Sequence, residues 1–103
     1  MSVKLSAKLS ELSARGTKAG QILLHYCPGC KFRHAIHVEH ANASGARWSW
    51  DGNTEQPTFA PSVKITTMAG VCHYFIRSGR IEFCRDSTHA LAGYTLDLPD
   101  LPW

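Results

Sequence analysis

The sequence predicts a mainly β fold: a small antiparallel, zinc-ribbon-like domain with a short N-terminal helix or arm and one short helical turn near residues 87–92. Three observations predict it. From Gln21 onward, short apolar or alternating runs are separated by Gly, Pro, Asn and Asp. Four cysteines occur in 103 residues, two of them in Cys27-Pro28-Gly29-Cys30. A chain of this length has room for one domain, and such a domain buries a smaller share of its surface than a large one, so a bound metal weighs heavily in its stability.

Residues 2–14 place Leu5, Leu9 and Leu12 at helical spacing among polar residues, and Arg15-Gly16 ends the segment as a helix end would. Residues 1–20 therefore read as an amphipathic helix or an arm, and residues 21–103 as the zinc-binding β domain. Within that domain the expected strands are 21–26, 33–39, 46–50, 62–68, 71–77, 80–84 and 94–98. Asp51-Gly52-Asn53 and Ser78-Gly79 supply residues that tolerate positive φ, while Pro57 and Pro61 interrupt pairing. "RDSTHALAG" reads as a capped helical turn, with Asp86 or Ser87 at its start and Gly93 at its left-handed end. The prolines of "LPDLPW" keep that tail out of a sheet and lay it across the surface.

The composition, 44% hydrophobic and 18% charged, is that of a folded protein. A net charge of +3, with basic residues scattered from Lys4 to Arg85, gives nucleic-acid binding little support. The N-terminus lacks the apolar core of a signal peptide and no run of about 18 apolar residues occurs, so a soluble, unexported, cytoplasmic protein is expected. In a reducing compartment, four cysteines point to metal rather than to disulfides.

Cys27-Pro28-Gly29-Cys30 is a tight turn that converges two thiolates, the shape of a zinc knuckle. A redox pair would need a helix behind the motif, whereas "KFRHAIHVEH" alternates like a strand. A structural zinc takes four ligands, and the hairpin "CHYFIRSGRIEFC" offers Cys72, His73 and Cys84 for the other half. With a two-residue loop at Ser78-Gly79, Tyr74 faces Phe83 and His73 faces Cys84, which keeps one face uniformly apolar. The expected site is Cys27, Cys30, His73 and Cys84, with Cys72 in place of His73 as the alternative. His89 is a further candidate ligand, and His25, His34, His37 and His40 show no spacing that singles them out. Trp48 and Trp50 share a strand face and read as core or lid. No carboxylate pair, phosphate loop or Ser-His-Asp order stands out.

Taken together, the knuckle, "RWSWDGNTEQPTFAPSV", "CHYFIRSGRIEF" and "STHALAGYTLDLPDLP" resemble a family of phage and prophage proteins over about residues 25–102. Its members carry an uncharacterised domain often labelled ammonia monooxygenase. The resemblance implies a small zinc-binding β domain, with relatives in bacterial gene clusters that include ubiquitin-like conjugation components, and no activity. Many members have a cysteine at the position of Ser87 and an apolar residue at that of Cys84, which leaves the fourth ligand between Cys84 and His89. No haem, copper or oxygen chemistry supports the monooxygenase label.

The resulting expectation is a non-enzymatic, zinc-stabilised phage module that binds a host or virion protein, with residues 1–20 as the candidate contact segment. The alternatives are a zinc-dependent hydrolase with an open metal position near His89 and Asp86, and a nucleic-acid-binding accessory protein.

Overall fold

The computed structural model describes residues 2–12 and 20–103. Nine strands run in chain order: β1 (Ser2–Lys4), β2 (Ser10–Leu12), β3 (Ile22–Cys27), β4 (Phe32–His37), β5 (Ser49–Trp50), β6 (Phe59–Thr67), β7 (Gly70–Arg77), β8 (Arg80–Phe83) and β9 (Thr95–Asp97). They form two antiparallel sheets, β1-β2-β3-β4 and β5-β6-β7-β8-β9, each made of sequence neighbours. The expected β architecture is present, and the described residues contain no helix.

The two sheets share one core. Leu9, Leu23, Cys27 and Ile36 come from the first sheet and its turns, and Phe59, Val63, Cys72, Tyr74, Ile76, Ile81 and Phe83 from the second. Alternation explains the second set: along β7, Cys72, Tyr74 and Ile76 are buried while His73 and Phe75 are only partly covered on the other face. The hairpin β7–β8 has the register expected of a two-residue loop, with Arg77 opposite Arg80, Ile76 opposite Ile81 and Tyr74 opposite Phe83. Ser78 at φ 49° and Gly79 at φ 76° adopt the paired left-handed conformations that such a tight hairpin demands.

The N-terminal helix expected over residues 2–14 is replaced, where the structure describes it, by the hairpin β1–β2. The Ser6 hydroxyl accepts the amides of Lys8 and Leu9, at 3.0 and 3.1 Å, and so folds the chain back before a helix can propagate. Leu9 is fully buried between the sheets, an anchorage that outweighs the leucine spacing. Residues 13 and 14, and the Arg15-Gly16 end of the expected helix, lie outside the described residues.

The helical turn expected near 87–92 is a run of separate turns. Ala92 N–H donates to His89 C=O at 3.3 Å and Tyr94 N–H to Leu91 C=O at 3.0 Å, too few consecutive bonds for a helix. Gly93 does take a left-handed φ of 83°. The tail is tied down more firmly than expected: Leu98 and Leu101 are buried, Leu101 N–H donates to Ala7 C=O at 2.7 Å, and Lys8 pairs with Asp100 at 2.8 Å. Trp48 is buried, as expected of a core indole, and its ring N–H donates to Ser62 C=O at 3.1 Å. No helix among the described residues is long and apolar enough to cross a membrane.

A candidate serine triad and a candidate metal centre

Two clusters lie on opposite faces of β7. The inward cluster begins with the knuckle between β3 and β4, where Cys30 N–H points at Cys27 Sγ at 3.4 Å and Lys31 N–H donates to Cys27 C=O at 2.8 Å. Lys31 takes a left-handed φ of 55° to complete the turn. Gly29 lets the His89 ring pack against the knuckle, because a Cβ there would meet that ring and force it to move. β7 delivers Cys72 from the facing sheet, with its Sγ 3.8 Å from Cys27 Sγ.

Ligand atoms of Cys27, Cys30, Cys72 and His34 all lie within 4.8 Å of one another, close enough to hold a metal ion. The spacing fits the chemistry: two thiolates on a tetrahedral zinc, each bonded at about 2.3 Å, stand about 3.8 Å apart. The Cys27 and Cys72 sulfurs stand within the reach of a weak S–H···S hydrogen bond. The hydrogen bond from Cys72 lowers the Cys27 pKa, opposed by burial, and the same bond raises that of Cys72.

Behind this cluster lies a buried relay of rings. Tyr74 Oη is 3.0 Å from His34 Nδ1 and 2.6 Å from His25 Nε2. Burial lowers the His34 pKa to about 4, with the charge of His89 adding to it, so the imidazole is neutral, as a ligand must be. Burial, then repulsion from His34, lowers that of His25 to about 3. With Nδ1 on Tyr74, His34 keeps Nε2 for a metal, the usual arrangement of a ligating histidine held from behind. His89 is also close, its Nε2 3.5 Å from Cys72 Sγ. Its Nδ1, however, accepts Leu91 N–H at 3.2 Å, so Nε2 carries the proton and donates to the Cys72 sulfur. A cleft of about 590 Å³ opens over the cluster, with Cys30, His34, Cys72 and His89 among its walls.

His73 and Cys84, the second half of the site expected from the sequence, are not brought to the knuckle. The hairpin does set them side by side, with Cys84 N–H donating to His73 C=O at 2.8 Å, but on the outward face and with Asp86. Cys27 is fully buried, so its neighbour comes from the inward side of β7, which is Cys72.

The outward cluster has a different chemistry. The Ser62 hydroxyl lies 3.0 Å from His73 Nε2, and His73 Nδ1 lies 3.0 and 3.1 Å from the two carboxylate oxygens of Asp86. A hydroxyl, an imidazole and a carboxylate are thus joined in one hydrogen-bonded row, the arrangement that a nucleophile, its base and an orienting carboxylate would need. Ser62 sits on β6 two residues before Lys64, the residue paired with His73, so alternation puts Ser62, Lys64 and His73 on one face. Ser87, 7% exposed, clamps His73 from the loop: its Oγ accepts His73 N–H and donates to His73 C=O, both at 3.0 Å.

This row is not legible in the sequence. Ser62, His73 and Asp86 carry no motif spacing, and only the pairing of β6 with β7 and the return of the 84–88 loop assemble them.

The sequence model of the bacterial ubiquitination-like system serine proteases (BubE) matches residues 3–84. The chain belongs to this family. The match spans most of the 103 residues and includes Ser62 and His73, while Asp86 lies just beyond its end. No curated protein and no solved structure gives a match. Membership of a serine protease family overturns the expectation of a non-catalytic phage interaction module. That expectation assigned His73 to a closed zinc site with Cys27, Cys30 and Cys84, which leaves it no part in catalysis; in the structure His73 stands apart from the knuckle and beside Ser62 and Asp86.

Proposed function

We propose that the chain is a serine hydrolase acting on peptide-type carbonyl bonds, with Ser62 as nucleophile, His73 as general base and Asp86 as its orienting carboxylate. The observation that carries this reading is the unbroken row from Ser62 Oγ through both nitrogens of His73 to Asp86, each link at 3.0 Å. The family description supports a bond within a bacterial ubiquitination-like system as the target.

The chemistry follows from the row. As Ser62 Oγ attacks the carbonyl carbon, His73 Nε2 takes its proton, and Asp86 stabilises the imidazolium without accepting the proton itself. His73 then protonates the leaving amine or alcohol as the bond to carbon breaks and Ser62 is left acylated. A water, deprotonated by His73, attacks the acyl carbon and releases the acid and free Ser62. The Asp86 side chain is about half exposed and Lys64 Nζ stands 3.9 Å from it. Its hold on His73 therefore strengthens when substrate covers the face and excludes water.

The metal centre has a structural role in this reading. Three cysteines and a neutral histidine are a donor set for Zn2+, closed by Cys27, Cys30, Cys72 and His34. Held by these residues, an ion would join the β3–β4 knuckle to β7 and so tie the two sheets together.

The test is labelling and turnover. Ser62 should be modified by a fluorophosphonate, and Ser62→Ala should lower hydrolysis of p-nitrophenyl acetate and of peptide esters by about 10⁴-fold or more. A Ser62→Ala enzyme with wild-type turnover would remove Ser62 from the mechanism.

A further inference from the structure

Cys84 is the one cysteine that neither the sulfur cluster nor the serine mechanism uses, and it lies against the catalytic base. His73, Cys84 and Asp86 each present a ligand atom, and these three atoms lie within 4.8 Å of one another. Cys84 is half-buried and its backbone is bonded to that of His73, so the thiol is held in place. An imidazole, a thiol and a carboxylate together suit a borderline-soft divalent cation such as Zn2+ and not Mg2+ or Ca2+, which take oxygen ligands.

We propose that His73, Cys84 and Asp86 form a second, regulatory site for a zinc-type cation, and that its occupation switches the hydrolase off. Binding releases the thiol proton to solvent and involves no change of oxidation state. The inhibition follows from the imidazole itself, and this consequence rests on the triad reading. A ring nitrogen bound to metal leaves the other as N–H. An ion at Nδ1 replaces the hydrogen bond between Nδ1 and Asp86, with Asp86 now on the ion, and leaves Nε2 protonated, unable to accept from Ser62. An ion at Nε2 takes the lone pair that Ser62 needs. Either placement removes the base. Three protein donors leave a fourth position to water, and Lys64, 3.9 Å from Asp86, opposes the added charge. Both features make this site weaker than the sulfur cluster and suited to reversible occupation.

The experiment uses the full chain carrying its first equivalent of zinc, titrated with further Zn2+ in a calorimeter while the ring nitrogens of His73 are followed by NMR and Ser62 by fluorophosphonate labelling. One further equivalent should bind, the His73 nitrogens should shift, and labelling should fall with the same midpoint. Cys84→Ser and Cys84→Ala should keep basal labelling and weaken the second equivalent by about tenfold or more. Excess Mg2+ should not compete. The absence of a second equivalent, unmoved His73 resonances, or unchanged binding in both Cys84 variants would each overturn the site. Wild-type stoichiometry and the His73 resonances decide this even if neither variant folds. An unreactive Ser62 before any zinc is added would sink the hydrolase reading alone, leaving those two measurements to judge the metal site.

Discussion

Replacing Tyr74 by Phe keeps the ring and its packing and removes one oxygen, so it tests the buried relay without opening a cavity. Tyr74 is fully buried, and its Oη serves His25 Nε2 at 2.6 Å and His34 Nδ1 at 3.0 Å. Two nitrogens lose their partner. His25 is fully buried, and among the described residues its Nδ1 has no hydrogen-bond partner either, so its orphaned nitrogen costs about 1–3 kcal/mol. His34 is 8% exposed and borders the cleft, where water can replace the phenol, so its share lies near about 1 kcal/mol. The total of about 2–4 kcal/mol corresponds to a fall in Tm of roughly 10–20 °C for a domain of this size. Because Tyr74 also fixes the His34 tautomer, zinc affinity should drop about 10–100-fold. The assay is a pair of melts with and without saturating zinc, together with competition for the metal against a chelating dye. A Tyr74→Phe protein that melts within about 3 °C of wild type and holds zinc as tightly would refute both the energetic account and the assignment of His34.

Other consequences are open to equally direct measurement. Removing the metal should unfold the domain, because the binding energy of a structural zinc is folding energy; an unchanged circular dichroism melt after chelation would contradict it. In the same competition assay His34→Ala should lose zinc much more readily than His89→Ala, since His89 faces Cys72 with a proton and not with a lone pair; the reverse order would exchange their roles. Ser87→Ala removes both bonds that clamp the His73 backbone and should lower kcat more than KM, with stability reduced by about 1–2 kcal/mol; equal effects on both kinetic constants would deny it a positioning role. Stability should also fall with acid. The His25 pKa is lowered to about 3 and that of His34 to about 4, so below about 6.5 the unfolded chain binds protons that the folded chain refuses. Each contributes a loss of roughly 2 kcal/mol by pH 5, and a urea midpoint that stays flat between pH 7 and 5, with zinc occupancy followed in parallel, would show that these rings are not held neutral.

What could be read from the sequence was whatever short-range chemistry decides. Ser78-Gly79 fixes its own turn, and the register of β7 and β8 follows from it without reference to the rest of the chain. The Cys27-to-Cys30 knuckle is equally local. What could not be read depends on which face of a strand meets which sheet. The cross-strand closeness of His73 and Cys84 is real, but it lies on the side of β7 that never meets the knuckle. The leucines of the N-terminal segment have helical spacing, yet the fate of Leu9 is settled by a cavity between two sheets that only the whole fold creates. Ser62 shares a face with His73 only because β6 pairs with β7 in the register that sets Lys64 opposite His73, and that register is not written in the alternation of either strand. Its partner Asp86 is brought back by a loop held through Ser87 and through Thr88, whose N–H donates to Val71 C=O at 2.8 Å.

Cys72 and His73 share a peptide bond. One side chain points to the sulfur cluster and the other to the serine, so in the proposed reading a catalytic base is one residue away from a ligand of a structural metal. A conventional inhibitor panel would therefore sort this enzyme into two classes at once. Fluorophosphonates would stop it as a serine hydrolase, and strong chelators would stop it as though it were a metalloprotease, by releasing the strand that aims its base. Chelator sensitivity in this family would thus report the integrity of a scaffold and carry no information about what attacks the substrate.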